Sequence, residues 1–251
     1  MSQLESNLIH YITTDKNTLT NILKSLRTIQ EDIVTIHLEL DGISFRSMDK
    51  LHVSLTDIVL SSNIFEAYDV QNKSQLSFNA KDFLNIIKSL DKKRSIKLEI
   101  TSDKIIITQN ETSLQLNQLN IADYNECPLP MLSYDAQIKM TGKTLKDIIK
   151  KAGTISDYLT VFTDDNSMTL DSKGDQGSYH EQISKDHLVE LKLREYSTCT
   201  YSLEYLKEFA RSIDNNDVIS LEYSSRKPCR LENKINNIGR VHFYLAPRVE
   251  N

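Results

Sequence analysis

The sequence has few of the residues that build the common catalytic and cofactor sites. Only six of its 251 residues are glycine, and it contains no glycine-rich phosphate loop, zinc-protease helix or hydrolase nucleophile turn. The three cysteines, Cys127, Cys199 and Cys229, are far apart and odd in number, so we expect reduced thiols in a cytosolic or nuclear compartment. No histidine has metal-ligand spacing with a cysteine. These absences argue against the common enzyme classes.

Long apolar runs and an excess of positive charge are missing as well. No stretch of about 18 apolar residues occurs, and the start, MSQLESNLIHY, lacks the basic flank and apolar run of a secretory signal. The net charge is −5, whereas a protein that grips duplex DNA from outside is basic overall. The charge therefore argues against an external DNA binder, unless the cations are concentrated on one surface.

One acidic segment could suggest a metal site. Residues 163–175, TDDNSMTLDSKGD, include four aspartates. A calcium loop of the common type needs an oxygen ligand at the position that Met168 occupies. We therefore interpret the segment as a solvated hairpin, and we predict neither a metal nor any other cofactor.

Four segments have the apolar period of helices that lie on a core, at residues 18–29, 80–90, 142–152 and 202–213. Short runs rich in β-branched and aromatic residues separate them and are typical of strands. The order strand, helix, several strands, helix, three strands occurs twice, which indicates an internal duplication. We expect an α+β fold of two similar domains, each with two helices packed on antiparallel sheet.

The segment between the repeats has two prolines and no sustained period, so we interpret it as an extended connector. The predicted boundaries are 1–118 for the N-terminal domain, 119–133 for the connector and 134–251 for the C-terminal domain.

The helix faces that point away from the sheets are predicted to be basic. The candidate cations are Lys24, Arg27, Lys81, Lys88, Lys143, Lys146, Lys150, Lys151, Lys207 and Arg211. Lysines on the outer face of any helix in water would give the same pattern. The acidic remainder of the chain nevertheless favours a protein that surrounds a polyanion, since phosphate contacts are independent of sequence and exchange readily. Aromatic residues are not interleaved on these faces, so recognition of single strands is not favoured.

Two stretches carry a family resemblance. FRSMDKLHVSL, from Phe45 to Leu55, and FYLAPRVE, from Phe243 to Glu250, resemble the two most characteristic segments of the proliferating cell nuclear antigen family. The members of this family are the DNA sliding clamps of eukaryotes and archaea, and the resemblance extends over the repeat, the helices and the connector. It implies a pseudo-sixfold ring formed by a trimer, with the helices lining the hole and the sheets forming the outer wall.

The resemblance also implies how copies join and where partners dock. Subunits would pair edge strands head to tail, here near residues 111–118 and 176–184. Partner proteins would insert a short peptide, a helical turn with an aromatic pair, into an apolar pocket. The implied pocket residues are Met48, His52, Val53, Leu55, Cys127, Leu129, Pro130, Pro228, Tyr244, Ala246 and Pro247.

The sequence departs from the family pattern at several positions. Some DNA-facing lysines of other members are replaced here by Thr20, Asn21, Asn85 and Asp147. Asp165 stands where eukaryotic clamps have the lysine used for ubiquitin-type modification, and the sequence ends soon after Glu250. Both features favour an archaeal-type clamp, which would work in the cytoplasm with the nucleoid, whereas a eukaryotic clamp would be nuclear.

The implied function is that of a processivity factor in DNA replication and repair rather than an enzyme. The ring would encircle duplex DNA without sequence preference, would be loaded by an ATP-driven clamp loader, and would tether polymerase, flap endonuclease and ligase. One alternative is a specialised subunit of a heterotrimeric clamp built from paralogues. Two others are an interaction module that never meets DNA and an enzyme that uses His180 with nearby acids.

Overall fold

A computed structural model describes residues 10–29, 31–120, 127–235 and 239–248. The first half of the chain follows the order strand, helix, five strands, helix, three strands. Its elements are β1 (His10–Thr14), α1 (Lys16–Leu26), β2 (Ile33–Glu39), β3 (Gly42–Met48), β4 (Ser54–Ser61), β5 (Ala67–Asp69), β6 (Ser74–Asn79), α2 (Ala80–Ser89), β7 (Ile96–Ile100), β8 (Lys104–Gln109) and β9 (Thr112–Asn117).

The second half repeats this order element by element. Its elements are β10 (Ala136–Thr141), α3 (Gly142–Ala152), β11 (Tyr158–Thr163), β12 (Ser167–Gly174), β13 (Gly177–Ser184), β14 (Glu190–Leu193), β15 (Ser197–Ser202), α4 (Leu203–Ser212), β16 (Val218–Tyr223), β17 (Cys229–Ile235) and β18 (Gly239–Leu245). The predicted duplication and the four predicted helices are confirmed, although α1 begins and ends earlier than its apolar period suggests.

The strand order within each repeat is the same. In the first repeat the orders are β5-β1-β7-β8-β9 and β4-β3-β2-β6, and in the second they are β14-β10-β16-β17-β18 and β13-β12-β11-β15. Neighbouring strands pair antiparallel, as predicted. Every strand of the second repeat therefore occupies the place of the strand numbered nine lower in the first.

Helices α1, α2 and α3 begin after residues whose side chains accept hydrogen bonds from the free N–H groups of the first turn, whereas Ser202 before α4 makes no such bond. Asp15 accepts from the N–H groups of Asn17 at 2.8 Å and Thr18 at 3.0 Å. Asn79 and Thr141 cap α2 and α3 in the same manner. These short polar residues, each followed by an apolar stripe, explain why the chain turns from strand to helix at these points.

Contacts between residues divide the chain into two units. Unit 1 comprises the described residues of 1–27, 31–46 and 58–126, and unit 2 comprises those of 28–30, 47–57 and 127–251. The segment 47–57, which joins β3 to β4, thus packs with the second half of the chain. Among the described helices none has the length and apolar content needed to cross a membrane.

Each unit has its own apolar core beneath its helices. In unit 1 the rings of Phe78 and Phe83 meet edge to face at 5.2 Å. In unit 2 Phe209 of α4 stacks on Phe243 of β18 at 5.5 Å, and both are fully buried. The helices are thereby held on one face of the sheets, and their outer faces remain available.

Candidate peptide pocket and DNA-facing surface

The turn between β3 and β4 is organised by one buried carboxylate. Asp49 is 5% exposed, and its Oδ1 accepts from the N–H groups of Val53 at 2.8 Å and Ser54 at 2.5 Å. Its Oδ2 accepts from the N–H of Leu51 at 3.2 Å. His52 has a φ of 57°, so the chain reverses sharply here. The carboxylate replaces the strand partners that these N–H groups lack.

Helix α4 also holds this turn. The Tyr205 hydroxyl donates to Asp49 Oδ2 at 3.2 Å. Burial and the nearby carboxylate raise the pKa of Tyr205 to about 12, so the phenol keeps its proton at neutral pH and remains a donor. A residue of the second repeat therefore fixes the position of a turn that lies 156 residues earlier in the sequence.

The same turn meets the end of β18 within unit 2. The Ala246 N–H donates to the Val53 carbonyl at 2.8 Å. Tyr244 lies two residues before Ala246, and Pro228 directly precedes Cys229, which pairs with Leu245. The structure thus brings together residues that the sequence places at opposite ends of the chain.

The predicted pocket residues differ in exposure. His52 is exposed, whereas Leu55 and Tyr244 are only 4% and 7% exposed. The half-buried members are Met48, Val53, Cys127, Leu129, Pro130, Pro228, Ala246 and Pro247. Half-buried apolar side chains around a fixed turn suit a docking surface, while Leu55 supports them from the core. We call the eleven predicted residues the peptide pocket.

Removing the Asp49 carboxylate is expected to loosen the turn. Asp49→Ala leaves several N–H groups without an acceptor and should lower the free energy of unfolding by about 2 kcal/mol. Tyr205→Phe removes one hydrogen bond and should lower it by about 1 kcal/mol. Urea unfolding of the two variants and the wild type checks the order. Equal stability of Asp49→Ala and the wild type would contradict this account of the turn.

The helices of each unit are joined side by side by a lysine. In unit 1, Lys16 Nζ at the start of α1 donates to the Lys88 carbonyl at the end of α2, at 2.7 Å. In unit 2, Lys146 Nζ on α3 donates to the Ile213 carbonyl at the end of α4, at 2.6 Å. An ammonium group at the last carbonyls of a helix complements the helix dipole. Each unit therefore presents a fixed pair of helices.

The ten predicted DNA-facing cations are not equally free. Lys81, Lys88, Lys143, Lys150, Lys151 and Arg211 are exposed, and Lys24, Arg27, Lys146 and Lys207 are half-buried. In unit 2, Lys151 forms an ion pair with Glu181 at 3.0 Å, and Arg211 forms one with Glu208. Together with the bond from Lys146, these contacts leave Lys143, Lys150 and Lys207 as the more available cations of unit 2.

The predicted edge strands lie at edges of the described sheets. β9 ends the order β5-β1-β7-β8-β9, and β13 ends the order β13-β12-β11-β15. The counterpart of β9 in the second repeat is β18. In the sheet, β18 lies beside β4, and residues Ser54–Asp57 of β4 belong to unit 2. β13 is the counterpart of β4. Among the edge strands of the described sheets, which also include β5, β6, β14 and β15, β9 and β13 differ from their counterparts β18 and β4 because those two lie beside each other.

The acidic segment 163–175 forms the predicted hairpin between β11 and β12. Asp164 Oδ1 accepts from the N–H groups of Asn166 at 2.8 Å and Ser167 at 2.7 Å. These bonds hold the pKa of Asp164 below its usual value. Across the described ranges, His, Cys, Asp and Glu side chains form no cluster suited to a metal ion. The carboxylate shapes a turn.

Family models match nearly all of the chain. The C-terminal domain of proliferating cell nuclear antigen matches residues 128–248, and its N-terminal domain matches residues 13–126. The chain belongs to the proliferating cell nuclear antigen family. Among curated relatives, a DNA polymerase sliding clamp of Nitrosopumilus maritimus is 35% identical over 95% of this chain and 97% of that protein. DNA polymerase sliding clamp 1 of Thermococcus kodakarensis is 29% identical over 84% and 86%.

Solved structures of the family share the fold. The A. fulgidus protein, solved with the C-terminal region of FEN-1, superposes with a TM-score of 0.88 and 21% identity over 96% of this chain and 99% of that one. The T. kodakaraensis protein gives the same score and identity over 95% and 100%. At such low identity, these superpositions establish only the shared fold of two clamp domains. The family membership rests on the sequence matches.

Sequence reasoning missed three residues of this region. Asp49 lies inside FRSMDKLHVSL but is not among the predicted site residues, although Asp is a common turn residue because its carboxylate bonds the backbone two residues on. Tyr134 and Arg230 were not singled out. Arg230 Cζ lies 5.6 Å from the centre of the Tyr134 ring, and Arg230 pairs across strands with Tyr244. No local pattern in the sequence marks this contact.

Proposed function

We propose that this chain is a subunit of a DNA sliding clamp, a ring of three copies that encircles duplex DNA and acts as a processivity factor. The observation that carries the proposal is the paired helix layer of each repeat, which presents cations in a chain whose net charge is −5. Family membership and relatives named as DNA polymerase sliding clamps support it. Members of the family are processivity factors and not enzymes.

The proposed mechanism is topological. A closed ring cannot leave a DNA circle without opening, so weak contacts are enough for long residence. Lys24, Lys88, Lys143 and Lys150 would touch phosphates one at a time, and such contacts exchange with counterions as the ring moves. An outer acidic surface would repel DNA, which leaves the helix layer as the favourable contact.

The peptide pocket would tether partners to the ring. A helical turn with an aromatic pair would anchor beside Met48 and Tyr244, with Leu129 and Pro130 of the connector forming another wall. The A. fulgidus structure is described as bound to the C-terminal region of FEN-1, which supports a short peptide as the ligand. Polymerase, flap endonuclease and ligase are the expected partners, and tethering raises their local concentration at the DNA.

Ring closure would use two of the edge strands, β9 and β13. β9 is polar except for half-buried Leu114 and Leu116, and β13 has the polar pattern GSYHEQIS. Pairing β9 of one copy with β13 of the next would repeat the arrangement of β18 beside β4 and remove both open edges. An ATP-driven clamp loader would open one such joint.

A heterotrimer is the second candidate. The polar joint and the reduced free charge of unit 2 suit a ring completed by paralogous subunits. A Sulfolobus tokodaii structure described as a PCNA2-PCNA3 complex, 24% identical with a TM-score of 0.85, illustrates such pairing in that organism. We propose the homotrimer as the main form, working in the cytoplasm with an archaeal nucleoid. Domains 1–118 and 134–251, joined by connector 119–133, would supply two of the six ring segments.

The test measures assembly and encirclement together. The native mass should be three times the 28.8 kDa chain mass; a monomer or dimer that trimerises only with a paralogue would favour the heterotrimer. Loaded onto closed circular DNA by its clamp loader, the protein should stay bound until a restriction enzyme cuts the circle. The control Leu114→Asp/Leu116→Asp should neither trimerise nor stay bound. Equal retention on circular and linear DNA would refute encirclement.

A further inference from the structure

A row of side chains crosses the sheet of unit 2, starting at Tyr244 of the peptide pocket. Tyr244 lies opposite Arg230, Arg230 opposite Glu222, Glu222 opposite Gln137, and Gln137 opposite Lys192. Cross-strand partners share a face of the sheet, so the five side chains form one continuous row. The row links the peptide pocket to the edge strand β14.

The row lies on the face away from helix α4. Phe243, the neighbour of Tyr244 in β18, stacks on Phe209 of that helix. Since successive side chains of a strand point to opposite faces, Tyr244 and its row face outward. Within the row, Lys192 is exposed and Gln137 and Arg230 are half-buried, whereas Tyr244 and Glu222 are buried, so a ligand from outside the helix layer would meet the β14 end of the row first.

The outer part of this row is the floor of a groove. An open cavity of about 380 Å³ is lined by Gln137, Glu222 and Arg230 of the row, by Tyr134 and Asp135 before β10, and by Lys192 and Arg194 of the β14 edge. The Arg230 guanidinium lies over the Tyr134 ring. We call this cavity the side groove. Its inner end begins beside Tyr244, one strand away.

The side groove has a small excess of positive charge. Arg230 forms an ion pair with Glu222. Glu190 forms ion pairs with two lysines, Lys192 at 2.7 Å and Lys139 at 2.5 Å. The lining has three cations, Lys192, Arg194 and Arg230, against the two carboxylates of Asp135 and Glu222, and Arg194 is exposed. In a chain with a net charge of −5, such a surplus next to a docking site favours an acidic ligand.

Two buried donors in the groove wall also lack acceptors. The Tyr134 hydroxyl and Arg230 Nε have no hydrogen-bond partner among the described residues. Burial raises the pKa of Tyr134, so its hydroxyl stays protonated as a donor. A buried donor without an acceptor is unfavourable, and both atoms have almost no exposed surface, so a ligand acceptor would reach them only after the groove wall shifts.

We propose that the side groove binds acidic residues that flank the anchor of a partner peptide. This inference rests on the proposed function, since it extends the peptide pocket. Adjacent strands are about 4.8 Å apart, so Arg230 lies about 5 Å from Tyr244 and Lys192 about 19 Å. An extended peptide advances about 3.3 Å per residue. The carboxylates that reach the groove therefore lie within about six residues of the anchor.

The test compares peptides that differ only in the flank. All four peptides carry the aromatic pair. Two have a flank before the pair, one with glutamates and one with glutamines, and two have the same flanks after the pair, each flank within about six residues of it. One of the two acidic peptides should bind the wild type roughly fivefold more tightly than its neutral match, because exposed ion pairs contribute up to about 1 kcal/mol. Lys192→Glu/Arg194→Glu should abolish this advantage. Asp135→Asn should enlarge it, and Lys97→Glu, an exposed change on β7, should leave it unaltered. Fluorescence anisotropy gives the affinities.

The outcomes separate the two proposals. If all four peptides bind, Tyr244→Ala weakens all of them, and the flank changes affinity by less than about twofold, then the pocket stands and the side groove is refuted. If no peptide binds, the proposed tethering function fails and the side groove with it. If the advantage persists in Lys192→Glu/Arg194→Glu, the acidic flank is recognised elsewhere and the inference is wrong.

Discussion

Replacing Met48, Leu129 and Tyr244 together by alanine is expected to weaken binding of an aromatic-pair peptide by about 100-fold or more. Central apolar residues of an interface commonly contribute about 2 kcal/mol each, and three of them exceed the roughly 2.7 kcal/mol that a 100-fold change requires. Met48 ends β3 beside the turn that Asp49 holds, and Tyr244 lies near the Ala246–Val53 bond. Fluorescence anisotropy with a labelled peptide measures the loss.

Two controls separate docking from folding. Tyr244 is 7% exposed, so its truncation also removes core contacts, and the native mass and urea midpoint of the triple variant must be measured beside its affinity. Tyr244→Phe keeps the ring and should retain most of the affinity. Met131→Ala alters a fully exposed connector methionine and should change nothing. A triple variant that assembles and binds within about threefold of the wild type would refute the pocket.

Reversing the charges of Lys24, Lys88 and Lys150 is expected to slow loading onto circular DNA by about tenfold or more. Removing one lysine–phosphate contact makes the slope of log affinity against log salt concentration less steep by about 0.9. Each glutamate also adds repulsion from the phosphates. The effect should be largest at low salt, where the Debye length is long. Peptide affinity should stay unchanged, because these helix positions are separate from the peptide pocket. The rate of loading onto circular DNA is the measurement, whereas release from the circle, which requires ring opening, should stay close to that of the wild type.

A matched variant tests whether position or net charge matters. Lys97→Glu/Lys173→Glu/Lys185→Glu changes the net charge by the same amount at exposed positions outside the four helices. It should slow loading only slightly. If both triple variants slowed loading equally, the helix layer would have no special role and bulk charge would explain the effect.

Much of the fold is readable from the sequence because the signals are local. Asp15, Asn79 and Thr141 stand where helices begin, and the apolar stripes after them have helical period. The edge positions of β9 and β13 came from the family resemblance, and their polar sequences agree with it, since a strand with few apolar residues cannot be covered on both sides. The duplication followed from element order alone.

The parts that could not be predicted depend on contacts between distant residues. Nothing near Tyr205 indicates that its hydroxyl meets Asp49, and nothing near Arg230 indicates that it lies over Tyr134. Lysines on a helix surface all look alike in sequence, yet Lys146 and Lys151 are held by a carbonyl and a carboxylate. Side-chain partners are set by cross-strand register and helix packing, which a linear pattern does not contain.

The proposed joint between the unlike edges β9 and β13 would give the ring a direction. An interface between two different surfaces is heterologous, and repeated use of it generates either a closed circle or an endless helical filament. The rotation from one copy to the next decides between them, and only a third of a full turn closes three copies. Substitutions that change this rotation without weakening the joint would therefore yield filaments, which a clamp loader cannot place around DNA.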